Sequence, residues 1–189
     1  MADLVLYTGP MFSSKTTRLL MEADTRQYRK QKIISFKSKL DDRYSATGEI
    51  VTHNFNKMPA YLVDTGEEML SKISEQINGG EEIDCVIIDE LFMIEGGAEA
   101  CIALFKRGYD VIIASIDLSF KGEPFEEVMS IMPYCTKIEK CTAVCPICGE
   151  DARYTTKKET KEKGLTLIQV GGDELYEPRC QEHYIYMRL

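Results

Sequence analysis

Gly9-Pro10-Met11-Phe12-Ser13-Ser14-Lys15-Thr16 is the stretch on which the fold turns. The residues just before it, 4–7 (Leu-Val-Leu-Tyr), form a short apolar run that reads as a buried strand. After it, a helix is expected to begin at Lys15 or Thr16 and to run to about Arg29. A glycine-opened loop that leaves a strand and closes on Lys-Thr at a helix start has the context of a Walker A phosphate-binding loop. In such a loop successive backbone N–H groups converge on phosphate oxygens at the positive end of the helix dipole. Lys15 would reach the β and γ phosphates of ATP, and the Thr16 hydroxyl would help to hold Mg2+. Ser14 stands where a glycine before the lysine is usual, and its Cβ takes up room that glycine leaves open.

Outward from the loop, strand and helix patterns alternate. Residues 32–38 read as a second strand and 39–56 as a polar stretch. Thr65-Gly66-Glu67-Glu68 has the form of a capping box, and behind it Leu70, Ile73 and Ile77 keep helical spacing until Asn78-Gly79-Gly80. Cys85-Val86-Ile87-Ile88 and Val111-Ile112-Ile113-Ala114 are continuous apolar runs, as strands covered on both faces require. Ala98, Cys101, Ile102 and Phe105 fall at i, i+3, i+4 and i+7, marking another amphipathic helix. The alternation predicts an α/β fold, a P-loop parallel sheet flanked by helices, over residues 1–140. Residues 141–189 change character, with paired cysteines, a charged run and Gly-Gly, and read as a second, small, metal-stapled unit.

Asp89-Glu90 closes the strand at 85–88. Ligands of parallel α/β sheets gather at the carboxyl ends of strands, so these acids are expected to face the phosphate loop. Asp89 fits the Walker B role of organising Mg2+, and Glu90 could accept a proton from an attacking hydroxyl. Acids end many strands merely as caps or solvated turns; the loop at 9–16 is what gives this pair a chemical reading.

The chain of 189 residues is 44% hydrophobic and 29% charged, and has room for one full domain and a small appendage. No run approaches the roughly 20 apolar residues of a membrane span. The start of the sequence lacks the basic leader of a signal peptide, so a cytoplasmic protein is expected. A formal net charge of −8 repels polyphosphate backbones and argues against nucleic acid as a partner. Seven cysteines without an export signal point to reduced thiols or metal rather than disulfides. Cys85 and Cys101 read as core residues, whereas Cys135 and Cys141 are ambiguous.

Cys145-Pro146-Ile147-Cys148 has zinc-knuckle spacing, and Cys180-Gln181-Glu182-His183 offers a second pair at the same interval. Three thiolates and an imidazole make a closed tetrahedral site, structural rather than catalytic. Cys141 is a competing ligand without knuckle spacing, and His53 reads as a loop residue. The 31 residues between the pairs, 149–179, read as one loop with a charged, solvated tip at 157–163, pinned at both ends as a lid requires.

Together these segments resemble the thymidine kinases of the vertebrate cytosolic, bacterial and poxviral type, over nearly the whole chain. The matching stretches are Gly9–Thr16, Asp41-Asp42-Arg43-Tyr44-Ser45, Asp89-Glu90, Phe120 with Pro124-Phe125, Thr142-Ala143-Val144-Cys145 with Cys148, and Val170-Gly171-Gly172-Asp173 with Tyr176. The resemblance implies transfer of the ATP γ-phosphate to the 5′-hydroxyl of thymidine, with Glu90 as base and Asp89 and Thr16 organising Mg2+. It implies that Arg43, with Asp41 nearby, stabilises the transferring phosphoryl group, and that Phe120, Phe125 and Tyr176 wall the nucleoside. Met11 and Thr155 would lie near the methyl group of the base. Backbone of Leu167, Ile168, Gln169, Val170 and Gly171 would bind its edge, in a zinc-held lasso. A homotetramer is implied as well.

One run departs from the family pattern: Leu91-Phe92-Met93-Ile94 follows Asp-Glu, where a small residue, Gln or His and then an aromatic are common. Either a slip of one residue lets Phe92 stack on the base, or Met93 forms a softer wall. Three other readings stand beside thymidine phosphorylation. A zinc-ribbon nucleic-acid motor would need a second motor domain or a strongly basic surface. A non-catalytic nucleoside-binding relative is opposed by the presence of Lys15, Asp89 and Glu90. A kinase of deoxyuridine or another pyrimidine deoxynucleoside differs by a methyl group, worth only about 1–3 kcal/mol in a pocket.

Overall fold

The apolar runs become the inner strands of one sheet. The computed structural model describes residues 2–41, 48–52, 54–158 and 171–187. Its first half runs β1 (Leu4–Thr8), α1 (Lys15–Tyr28), β2 (Ile33–Ser38), β3 (Glu49–Val51), β4 (Lys57–Pro59), β5 (Tyr61–Val63), α2 (Gly66–Asn78) and β6 (Cys85–Asp89). There follow α3 (Gly97–Lys106), β7 (Asp110–Ser115), α4 (Glu126–Ile131), β8 (Lys137–Lys140), β9 (Ala143–Val144), β10 (Asp151–Ala152), β11 (Tyr154–Lys157) and β12 (Tyr176–Arg179). Six parallel strands lie in the order β5-β2-β6-β7-β1-β8.

Side chains alternate between the two faces of a strand, and both faces are covered. Leu4, Leu6, Phe36, Val86, Ile88, Val111 and Ile113 join Met69 and Ile73 of α2, Ala98, Cys101 and Leu104 of α3, and Val128 and Ile131 of α4 in one core. On the other face Val5, Tyr7, Cys85, Ile87 and Ile112 meet Leu19 and Ala23 of α1, together with Ile50 of β3 and Met58 of β4. Each large aliphatic side chain fully buried there contributes about 1.5–3 kcal/mol. Two-sided burial accounts for the unbroken apolar runs of β6 and β7.

The capping box of α2 forms with a shift. Thr65 Oγ1 accepts from the Glu68 N–H at 3.2 Å, while the Glu68 carboxylate reaches one residue further back, to the Asp64 N–H at 2.9 Å. The polar stretch 39–56 contains β3, which pairs antiparallel with β4, and β5 and β8 edge the sheet. Strands of three or four residues are too short to show a period. The described residues of 149–179 include strands: β10 pairs with the preceding β9, and β11 with β12, in antiparallel register. Among the described residues no helix is long and apolar enough to cross a membrane.

Candidate functional site

The loop between β1 and α1 is built on unusual backbone. Gly9 has φ 137°, and a Cβ there would lie 2.2 Å from the Cys141 carbonyl oxygen, so only glycine lets β1 turn this close to the chain beyond β8. Phe12 (φ 65°) and Ser14 (φ 61°) both occupy the left-handed region, at a cost of order 1–3 kcal/mol each. Ser14 is the residue that caps α1, yet its hydroxyl makes no capping bond. The departure from glycine thus falls on a residue whose backbone still adopts the glycine-like conformation. Lys15 is buried; its ammonium donates to the Pro10 carbonyl at 2.6 Å and to Ser13 Oγ at 3.3 Å. Burial pushes the Lys15 pKa below the ordinary lysine value, while the Glu90 and Asp89 carboxylates support its charge.

Two strands over in the sheet, the carboxyl end of β6 brings the acids to the same cleft. Its walls are residues 11–17 of the loop and helix start, Asp41, Val51, Thr52, Asp89, Glu90 and Ile116. The Thr16 hydroxyl lies 3.3 Å from Asp89 Oδ1. Glu90 is left-handed at φ 55°, ψ 50°, and its N–H donates to the Ala114 carbonyl at 2.8 Å. That bend turns the chain out of β6 and lets two successive carboxylates reach the same cleft. Asp41 is buried and ion-paired at 3.3 Å with Lys37, which is 1% exposed and lies in register beside Asp89.

The Leu91–Met93 turn is a single 3-10 turn buried in the main core. The Phe92 N–H donates to Ser115 Oγ, and its ring sits 4.5 Å from that of Phe125. Phe92 and Met93 thus belong to the main core, each 9% exposed, with Phe92 packed on Phe125. Phe120 instead neighbours Tyr176 and Tyr186, with ring centroids 6.5 and 6.4 Å away. The Lys121 and Lys157 ammonium groups each lie 5.9 Å from the Phe120 ring centre. Tyr184, 1% exposed, donates its hydroxyl to the Phe120 carbonyl at 2.8 Å and stacks on Tyr154 at 4.5 Å. Thr155 Oγ1 accepts from the Met11 N–H at 3.0 Å, tying β11 to the phosphate loop.

Cys145, Cys148, Cys180 and His183 converge, with all four ligand atoms within 4.8 Å of one another. Cys148 Sγ to Cys180 Sγ is 3.6 Å, Cys145 Sγ to His183 Nδ1 3.8 Å, and Cys180 Sγ to His183 Nδ1 3.2 Å. A tetrahedron built on Zn–S bonds of roughly 2.3 Å has edges of about 3.8 Å, so the donor set fits zinc. Burial pushes the Cys145 thiol up, but backbone donors from Cys180, Ile147 and Cys148 outweigh it and bring the pKa down to about 6, favouring the thiolate that a metal needs. Cys141 is not part of this cluster.

Of the residues nominated by sequence, Met11 to Thr16, Asp41, Asp89 and Glu90 share the cleft, while the Pro10 carbonyl accepts from Lys15 and Gly9 lies against Cys141. Phe120 and Tyr176 form a neighbouring aromatic pair, whereas the Phe125 ring faces Phe92. Gly171 packs against Leu175. Arg43, Leu167, Ile168, Gln169 and Val170 lie outside the described residues. Sequence reading passed over Lys37, Asp117 and Tyr184. A lysine inside an apolar strand was the available signal for Lys37. Asp117 lies just beyond the carboxyl end of β7, the positional rule that singled out Asp89, and it pairs with Lys140 at 2.8 Å.

A model of the thymidine kinase family matches residues 2–184. A protein of Aster yellows witches'-broom phytoplasma named thymidine kinase is 35% identical over 180 residues, spanning 93% of this chain and 83% of its own. A thymidine kinase of Thermococcus kodakarensis is 35% identical over 187 residues, spanning 96% and 93%. One from Onion yellows phytoplasma is 34% identical over 180 residues, spanning 93% and 83%.

Proposed function

The chain belongs to the thymidine kinase family, and from that premise we propose that it transfers the γ-phosphate of ATP to the 5′-hydroxyl of thymidine. The observation that carries the reading is the single cleft in which a buried Lys15 ammonium, the Thr16–Asp89 contact and Glu90 meet. Loop N–H groups and Lys15 bind the triphosphate, so the oxygens that gain charge during transfer find fixed donors. Mg2+ arriving with ATP would be held by Thr16 and Asp89, and supplies charge neutralisation. Glu90 accepts the 5′-hydroxyl proton as the oxygen–phosphorus bond forms and the bond to the ADP leaving group breaks. Arg43 stabilises the moving phosphoryl group, with Asp41 nearby. Phe120, Phe125, Tyr176, Met11, Thr155 and backbone of 167–171 enclose the nucleoside.

We assign residues 1–140 to nucleotide binding and 141–189 to a zinc-held lasso unit, in a cytoplasmic homotetramer. Light scattering of the purified chain checks the tetramer. Transfer from labelled ATP with Mg2+ to thymidine, deoxyuridine and deoxycytidine tests the activity and its selectivity. Glu90→Gln keeps shape but not basicity, so kcat should fall about 10²-fold or more with ATP and thymidine binding retained. Near-normal turnover in that variant would refute the base assignment, and no transfer to any nucleoside by the parent chain would refute the function.

A further inference from the structure

We propose that Phe12 is a positioning residue through which the Cys145, Cys148, Cys180 and His183 metal site sets the shape of the phosphate loop. The proposal rests on reading that loop as a triphosphate cradle. Phe12 and Ser14 are both left-handed without being glycine, and such backbone persists only where its surroundings over-determine it. The surroundings here come from the C-terminal segment. Phe12 packs against a small core of Ala143, Cys145, Ala152 and Cys180, two of whose four members are metal ligands. One residue earlier, the Met11 N–H donates to Thr155 Oγ1. At the base of the loop Gly9 rests on the Cys141 carbonyl, and the Cys141 N–H donates to Thr8 at 2.7 Å. The loop is thus braced from outside at Gly9, Met11 and Phe12.

The core under Phe12 is too small to hold itself together by apolar burial. Closing the four ligands around zinc supplies the missing free energy and draws Cys145 and Cys180 together. Metal binding therefore builds the seat of Phe12, and that seat favours the backbone in which the loop N–H groups converge. Binding linkage is reciprocal, so ATP must tighten zinc as much as zinc tightens ATP.

The apparent zinc affinity is measured by competition with a chromophoric chelator, with and without saturating ATP and Mg2+, in wild type and Phe12→Ala. In wild type ATP should raise zinc affinity by about tenfold, within the usual range for coupled neighbours. In Phe12→Ala the effect should shrink to less than about twofold, with ATP affinity of the zinc-loaded protein lowered by a similar factor. Phe12→Leu, which still fills the seat, should recover most of both. Zinc bound to ATP itself acts equally in all variants and cancels in the comparison. Equal ATP effects in wild type and Phe12→Ala, or none in wild type, would overturn the proposal. If the zinc-loaded wild type binds no ATP at all, the phosphate-loop reading falls, and this proposal with it.

Discussion

Replacing Ser14 by glycine removes a Cβ from a residue held at φ 61°, ψ 24°. A left-handed conformation costs an L-residue about 1–2 kcal/mol, and Ser14 recovers none of it through a capping bond, since its exposed hydroxyl makes none. Glycine escapes that cost but brings back about 0.4–1 kcal/mol of unfolded-chain entropy. The net expectation is a gain of roughly 0.5–1 kcal/mol. For a chain of this length that is a Tm rise of about 1–4 °C, read by scanning calorimetry on the zinc-loaded, nucleotide-free protein. Ser14→Ala keeps the Cβ and should leave Tm within about 1 °C, while the β-branched Ser14→Val should lower it. ATP affinity should hold or tighten in Ser14→Gly, because the loop no longer resists the conformation that brings its N–H groups together. A fall in Tm of about 2 °C or more, or loss of activity in Ser14→Gly, would refute the reasoning and give the hydroxyl a positive role.

Tyr184→Phe deprives the buried Phe120 carbonyl of its donor, which should cost about 1–2 kcal/mol of stability and raise the thymidine KM while leaving the ATP KM in place. Urea denaturation and steady-state kinetics measure the two effects, and unchanged stability would count against the contact. Burial depresses the Lys15 pKa in the free chain, and a bound triphosphate restores its charge. ATP affinity should therefore fall as pH rises through the depressed value, with proton uptake on binding in that window. Calorimetry in buffers of different ionisation enthalpy detects the uptake, and Lys15→Met should abolish it. Cys145→Ser with Cys148→Ser should bring zinc well below one per chain by elemental analysis and lower Tm by more than about 5 °C.

The parallel sheet, the loop at 9–16, the paired acids and the metal pairs were all legible from local signals. Apolar runs record burial on both faces, and i, i+3 cysteine spacing records ligand geometry within a few residues. Contacts between segments far apart in sequence were not legible. Nothing in the local sequence marks Phe92 as the partner of the Phe125 ring, 33 positions further along the chain. Thr155 facing Met11 and Tyr184 facing Phe120 are joined across 144 and 64 residues by single hydrogen bonds. The short strands β3, β5 and β8 form because neighbours supply hydrogen-bond partners, not because three or four residues prefer to be extended. Composition and spacing by themselves determined which groups could do chemistry on a phosphate and which could hold a metal, since those are properties of residue types at short range. Only the tertiary structure decided that the metal core lies directly under the phosphate loop, because that contact exists once β1, β8 and the C-terminal hairpin have packed together.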